Sequence, residues 1–294
     1  MPGPGGDRDD RRGLALVVLS AAAYATMPIF AKAAFRGGLS VVDLLAWRFA
    51  LAVGLFAVLG RGEPGLPFRV RLRLWGLGLV FVGNSLAYFL ALERVPASLL
   101  TLLLYTYPVI VTLLAGAFGI DRLTPRSLVA AALSMGGAAL TVGSFATAPL
   151  LGIALSLGAA LVYSIYIVLS SRFAADVPSE AAAAHVSQTA LAAYLGAALW
   201  RGELLPPVSL GVWLAVACIG VISTVVALRA FMAGLARIGP SRAAVLSSLE
   251  VIFILALAAS FLGEPLTPRL LLGAGLILGA VLLQHARPTR ENRG

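Results

Sequence analysis

Apolar residues run through this chain in blocks of about 20, each ended by glycine, proline or charge. A block of that length, wound as a helix, spans the hydrocarbon core of a bilayer. Dividing the sequence at these breaks predicts ten spans: 14–35, 41–60, 72–92, 98–118, 126–144, 149–171, 182–200, 210–232, 241–262 and 269–286. Several of the connections are very short, as between antiparallel neighbours in a bundle. The expected fold class is an all-α polytopic membrane protein with ten transmembrane helices and no room for a second, soluble domain. The segment before the first span, MPGPGGDRDDRR, is polar, and the apolar run after it lacks a small-x-small cleavage site. The expectation is a retained first span, not a cleaved signal.

The blocks repeat. Residues 92–126 lie over residues 235–269 at a fixed offset of 143 without a gap, pairing Leu92 with Leu235, Arg94 with Arg237, Ser98 with Ser241 and Asp121 with Glu264. Thr124-Pro125-Arg126 falls on Thr267-Pro268-Arg269. Nearer the start of each copy, Tyr24 falls on Tyr163 at an offset of 139, as a small loop insertion would produce. The predicted domain organisation is two five-helix repeats, 1–146 and 147–294.

Composition supports the membrane reading. The 294 residues are 60% hydrophobic and 12% charged, with a mean hydropathy of +0.96. A soluble protein is about a quarter charged. The net charge of +9 does not point to nucleic acid, because the arginines sit in short loops and at the termini, where membrane topology needs them. With the N-terminus inside, cytoplasmic segments carry 15 of the 22 Lys and Arg and the outer ends carry 5 (Lys32, Arg36, Arg94, Arg201 and Arg269). Arg48 and Arg229 fall within spans. This bias places both termini in the cytoplasm, in agreement with ten spans. Five helices per repeat is odd, so the second repeat is expected to lie inverted relative to the first, an arrangement found in transporters. Cys218 is the only cysteine, which excludes an internal disulfide. Scarce lysine beside abundant Arg, Ala and Gly suggests a GC-rich bacterial source, and so the bacterial inner (plasma) membrane.

Ionisable groups inside a bilayer each cost about 2.5–3.5 kcal/mol on insertion scales and need a reason. Glu250 is the deepest. Two readings stand: a cavity carboxylate that meets a substrate amine or carries a proton, or a structural carboxylate bonded to neighbouring helices. Arg48 lies roughly 10 Å into the second span. It suits a substrate carboxylate, or it snorkels, or it pairs internally with Asp43. Lys32 suits snorkelling near the end of the first span. No cluster has metal-ligand spacing, and no Walker loop, GxSxG or HExxH occurs. No cofactor and no enzymatic activity are expected.

All seven tyrosines fall within predicted spans, and Tyr24, Tyr105, Tyr107 and Tyr194 lie too deep for the interfacial belt. Tyr163 and Tyr166 share a helix face, as do Asn84 and Tyr88. Such faces suit a cavity of mixed aromatic and hydroxyl character, or interhelical packing. Tyr105 and Tyr107 are two apart and point away from each other on a regular helix. Spacing cannot place both in one cavity: the stripe of Thr101, Tyr105, Pro108 and Thr112 on the fourth span favours Tyr105, and the repeat match of Tyr107 with Glu250 favours Tyr107. The candidate substrate-binding residues are Tyr24, Asn84, Tyr88, Tyr105, Tyr107, Tyr163, Tyr166, Ser248 and Glu250. Pro108, in mid-span, permits a kink. Ala132-xxx-Gly136 and Gly275-xxx-Gly279, equivalent in the fifth and tenth spans, read as close-packing faces within the monomer or in a dimer.

The stretches AWRFALA at 46–52, YFLALERVPASLLTLLLYTYPVIVTLLAGAFGIDRLTP at 88–125 and FMAGLARIGPSRAAVLSSLEVIFILALAASFLGEPLTP at 231–268 resemble the drug/metabolite transporter superfamily, and within it the ten-span EamA family. The resemblance covers nearly the whole chain, and the pattern is most similar to the YddG-type aromatic amino acid exporters. Two departures stand out: Asp121-Arg122 where the family usually has Glu-Arg, and Val251 where a proline commonly follows the glutamate. The resemblance implies a secondary transporter that exports small metabolites through a central cavity between the halves by alternating access, with the fifth and tenth spans as scaffold. A tyrosine-lined cavity suits aromatic or aliphatic amino acids. A multidrug, cationic-compound or nucleoside exporter of the same fold is the alternative. The expected partners are a small-molecule substrate and the lipid bilayer. Proton coupling through Glu250 and uncoupled downhill export both fit. A monomer is expected, with a homodimer left open.

Overall fold

The computed structural model describes residues 4–59, 65–117, 124–145, 147–173, 177–202, 204, 206–238 and 246–285. Asp121, Arg122, Ser241 and Arg242, which the repeat analysis singles out, lie outside them. Every regular element among the described residues is a helix. The first repeat holds α1 (Pro4–Ala25), α2 (Met27–Arg36), α3 (Val41–Leu59), α4 (Phe68–Arg94), α5 (Ala97–Leu104), α6 (Tyr107–Ala117) and α7 (Pro125–Gly143). The second holds α8 (Leu150–Phe173), α9 (Ser179–Trp200), α10 (Leu210–Gly220), a π-helical segment (Val221–Val226), α11 (Ala227–Ile238), α12 (Leu249–Leu262) and α13 (Pro268–His285).

Among the described residues, seven helical stretches are long and apolar enough to cross a membrane, and they correspond to predicted spans one to six and eight. Leu249–Leu262 and Pro268–Leu283 are shorter apolar helices at the places of spans nine and ten. The seventh predicted span is the 22-residue helix α9. Large apolar side chains such as Leu79, Met135, Leu161 and Leu272 stand exposed on the outside of the bundle. Lipid tolerates such a surface and water does not.

The packing follows the sequence repeat. Helix α1 lies along α11, and its repeat partner α8 lies along α4. Helix α12 rests on α1, while α5 and α6 rest on α8. Of the other contacts, α3 with α9 and α7 with α13 join repeat partners directly, α5 meets α12 across the partner fourth and ninth spans, and α4 with α9 is matched by α10 with α3. Exchanging each span for its repeat partner leaves this set of contacts unchanged. The largest buried cluster, with Leu44, Phe49, Phe89, Leu92, Leu99, Leu103 and Ile219, fills the end of the bundle where α2 closes and α5 starts.

The α7–α13 contact depends on two glycines. A Cβ on Gly137 would sit 2.7 Å from the Gly273 carbonyl oxygen, and one on Gly273 would sit 2.8 Å from that of Gly137. Only hydrogen fits there. This corrects the expectation of packing within the monomer. Gly136, Gly275 and Gly279 face open space, so the close-packing face is Gly137 and Gly273 and not the small-xxx-small pairs. Two glycine-bearing faces on one helix cannot be told apart by spacing alone. Overpacking a tight contact costs about 1–3 kcal/mol. Gly137→Leu and Gly273→Leu are expected to lower the melting temperature of the purified protein in detergent, and Gly275→Leu to leave it near the wild-type value.

Candidate functional site

Three of the predicted spans change helix in mid-course. In the first, Thr26 separates α1 from α2, with Pro28 in the opening turn of α2. In the fourth, Tyr105 and Thr106 form a turn between α5 and α6, with Pro108 second in α6. Proline carries no N–H, so the carbonyl four residues earlier loses its helical partner. The threonine hydroxyls serve the carbonyls next to those: Thr26 Oγ1 donates to the Ala23 carbonyl at 2.6 Å, and Thr106 Oγ1 to the Leu103 carbonyl at 2.7 Å. In the ninth span the turn falls at Ser248, the repeat partner of Tyr105, although no proline is present. The missing proline after Glu250 therefore does not remove the interruption. Beside the break at Thr26 lies the π-segment. Thr26 Oγ1 and Ser223 Oγ are 2.9 Å apart, and Ser20 Oγ donates to the Ala227 carbonyl at 2.7 Å. Helix interruptions at membrane depth are tolerated where they are buried in protein or line a cavity.

These interruptions bring the predicted residues together. With the chain turning at Tyr105 and Thr106, Tyr105 and Tyr107 no longer point apart. Their rings meet edge to face at 6.0 Å. The choice between them was a consequence of assuming a continuous helix. Tyr107 meets Tyr163 at 4.9 Å, Tyr163 stacks on Tyr166 at 6.2 Å, and Tyr166 contacts Phe81 at 5.3 Å. Glu250 lies in the first turn of α12, where a helix N-terminus favours a carboxylate by about 0.3–1 kcal/mol. The Tyr105 hydroxyl donates to Glu250 Oε2 at 2.9 Å, with the Ser247 carbonyl at 3.4 Å. Tyr24, Tyr88, Tyr107 and Tyr163 also lie within electrostatic reach of the Glu250 carboxylate. Two residues from one helix break and two from its repeat partner thus form one polar layer.

Below this layer is a cavity of about 300 Å³, at the small end of the usual range for ligand sites. Tyr105, Tyr107, Pro108 and Val111 line it from the first repeat; Ile167, Phe231, Ser247, Ser248 and Val281 line it from the second. Of the nine predicted residues, Tyr105, Tyr107 and Ser248 line this cavity directly. Asn84 Oδ1 is buried without a hydrogen-bond partner. Sequence reasoning missed Phe231 and Ile167, whose apolar character gives no signal, and Ser247, which neighbours a predicted residue. Tyr194 is structural. Its hydroxyl lies 2.5 Å from Ser85 Oγ and 2.7 Å from the Val82 carbonyl, and its ring stacks on Phe49.

The far end of the bundle, where α5 begins, is tied shut across the repeats. Glu264 follows Gly263, whose positive φ of 69° ends α12 in the left-handed conformation that glycine adopts without strain. Its carboxylate accepts the backbone N–H of Ala97 at 2.7 Å and of Ser98 at 2.9 Å, and also the Ser98 hydroxyl. An acid from the second repeat thereby caps the first turn of α5 in the first. Lys32 Nζ donates to the Val95 carbonyl at 2.9 Å in the preceding turn, so the only lysine is held in place and does not snorkel freely. At the same end Asp43 pairs with Arg201 at 3.0 Å, not with Arg48.

The EamA-like transporter family model matches residues 11–143 and 150–284. The chain belongs to this family, in the drug/metabolite transporter superfamily, and is a transporter and not an enzyme. It is accordingly a multi-pass protein of the inner membrane, working on a small-molecule substrate among lipids. An uncharacterised transporter of Archaeoglobus fulgidus is 29% identical over 93% of this chain and 96% of its own. The aromatic amino acid exporter YddG of Ancylobacter novellus is 29% identical over 62% of this chain and 64% of its own. The threonine/homoserine exporter RhtA of Escherichia coli strain K12 is 28% identical over 90% and 92%. A solved crystal structure 24% identical to this chain superposes with a TM-score of 0.63 over 94% of this chain and 97% of the other, a likeness in fold.

Hydrogen bonds to a charged group contribute about 1.5–3 kcal/mol. Glu264→Gln, which keeps the shape and loses the charge, is expected to raise hydrogen exchange at Ala97 and Ser98 by about tenfold or more, with little change in α9.

Proposed function

We propose that this protein is a secondary exporter of amino acids, aromatic or aliphatic, working by alternating access between two inverted five-helix halves, residues 1–146 and 147–294, with ten spans and both termini in the cytoplasm. The observation that carries the reading is the Tyr105–Glu250 hydrogen bond. It joins repeat-equivalent helix breaks of the two halves at the rim of the cavity. Further support comes from the reciprocal packing of repeat partners, from the Lys and Arg bias, and from two relatives named as amino acid exporters. Interrupted helices facing each other at a repeat interface are where transporters of this general build hold their cargo.

In this reading the aromatic row from Tyr105 to Tyr166 receives the substrate side chain, since rings meet rings edge to face or stacked. Tyr24, Tyr88 and Asn84 shape the site from the far side, and Ser248 lines its floor. Glu250 receives the substrate ammonium group or a proton, in competition. The Glu264 end is the outer end and is closed, while the cavity below Tyr107 faces the cytoplasm. The protein works as a monomer, its closest-packed glycine face being used internally between α7 and α13.

A second reading, export of organic cations, has one observation in its favour: Glu250 has no cationic partner among the described residues. Counterflow into proteoliposomes with labelled amino acids, nucleosides and cationic dyes separates the two. Phenylalanine or threonine is expected to exchange and dyes are not; exchange of dyes alone overturns the amino acid reading. Glu250→Gln is expected to reduce counterflow by about tenfold or more and to leave the residue of transport indifferent to a pH gradient. Full gradient-driven transport by that variant would remove Glu250 from coupling.

A further inference from the structure

Arg48 is the second charge inside the bundle, and its sequence-expected partner is engaged elsewhere. The residue is 8% exposed. Its guanidinium lies over Phe49 at 5.1 Å and over Phe89 at 5.4 Å. Nε is buried with no hydrogen-bond partner. Asp43, the nearest acid in sequence, holds Arg201 instead, and no ion pair reaches Arg48 among the described residues. The two rings account for the faces of the guanidinium, because cation–π attraction acts perpendicular to the plane. They leave its edge. A guanidinium carries five N–H donors in its own plane, arranged to meet the two oxygens of a carboxylate. A buried cation without an anion is costly, by several kcal/mol, and rings alone do not offset that cost.

The surroundings fit a ligand anion. The hydroxyls of Tyr88, Tyr194 and Tyr24 lie within electrostatic reach of Arg48. Tyr24 and Tyr88 also lie within reach of Glu250. Arg48 and Glu250 are therefore the two poles of one polar layer, of opposite sign, and neither is paired with the other. Arg48 stands on α3 of the first repeat and Glu250 on α12 of the second.

We propose that Arg48 is the carboxylate-binding pole of the substrate site, so that Arg48 and Glu250 together select zwitterions: small molecules bearing one carboxylate and one ammonium group a few bonds apart. Resting on the amino acid reading above, the proposal deepens it by naming the group that excludes amines, dyes and amides. Arg48 reads the carboxylate with its exposed edge while Phe49 and Phe89 hold the plane of the guanidinium fixed. Glu250 reads the ammonium. A cation without a carboxylate leaves Arg48 unpaired and adds a like charge to the same layer.

The test uses the full chain in proteoliposomes loaded with labelled L-phenylalanine. Competitors are unlabelled L-phenylalanine, L-phenylalaninamide, which lacks the carboxylate, and 3-phenylpropionate, which lacks the ammonium group. In the wild type, phenylalanine is expected to compete on the order of 30-fold better than the amide. In Arg48→Gln that ratio is expected to fall to about twofold, through weaker competition by phenylalanine while the amide is unaffected. Arg48→Lys keeps the charge and loses the two-pronged geometry, and is expected to fall between. Equal competition by acid and amide in the wild type overturns the proposal and leaves amino acid export standing, as does undiminished discrimination in Arg48→Gln. Should that variant fail to fold, the wild-type ratio and Arg48→Lys decide. Absence of any amino acid counterflow by the wild type overturns the export reading itself.

Discussion

A bilayer offers no water to a backbone amide or carbonyl, so a helix that stops inside it must have its freed groups met by the protein. The rest of this structure depends on how that demand is handled at Thr26, at Tyr105 and Thr106, and at Ser248. The prolines at 28 and 108 force two of the stops. Threonine hydroxyls bond back to the carbonyls three residues earlier, and neighbouring helices cover what is left. Each stop then becomes an asset, because it turns side chains that a continuous helix would send in opposite directions toward a single point. Tyr105 and Tyr107 are brought into ring contact in this way, and Glu250 reaches the Tyr105 hydroxyl from the start of a new helix.

Much of the architecture is legible in the sequence because it rests on periodicity and repetition, which single residues carry well. Among the described residues the apolar blocks are helical, and spans matched by the repeat pack on each other or make equivalent contacts. What was not legible depends on register. Gly136 and Gly137 are adjacent in sequence, yet only Gly137 meets another backbone. Spacing along one helix does not say where its neighbour's axis passes. The same holds for Asp43, five residues before Arg48 and yet drawn to Arg201 at the end of α9. Of the tyrosines singled out in the sequence, Tyr105 bonds Glu250 and the rings of Tyr107, Tyr163 and Tyr166 continue the row from it, whereas Ile167 and Phe231 on the apolar floor carried no chemical signal.

Charge is used sparingly in this bundle, and each buried charge has a distinct situation. Asp43 is neutralised by Arg201, Glu264 by helix N–H groups, and Lys32 is anchored on a carbonyl. These three are spent on holding one end together. Arg48 and Glu250 are not, and they lie deeper. The contrast separates groups that maintain the fold from groups that remain available to something else.

The π-segment at Val221–Val226 has a consequence of its own. A wide turn accommodates one residue more than an α-turn, and the Ala227 backbone N–H marks it by donating to the Ile222 carbonyl five residues back. Since each α-helical residue advances the azimuth by about 100°, that surplus residue sets the angular phase of α11 relative to α10. Losing it would barely shorten the helix. It would instead turn Phe231 about a quarter of a revolution away from the cavity it lines. The shape of the cavity wall is thus indexed by a count of residues a full two turns away, in a stretch that touches no part of it.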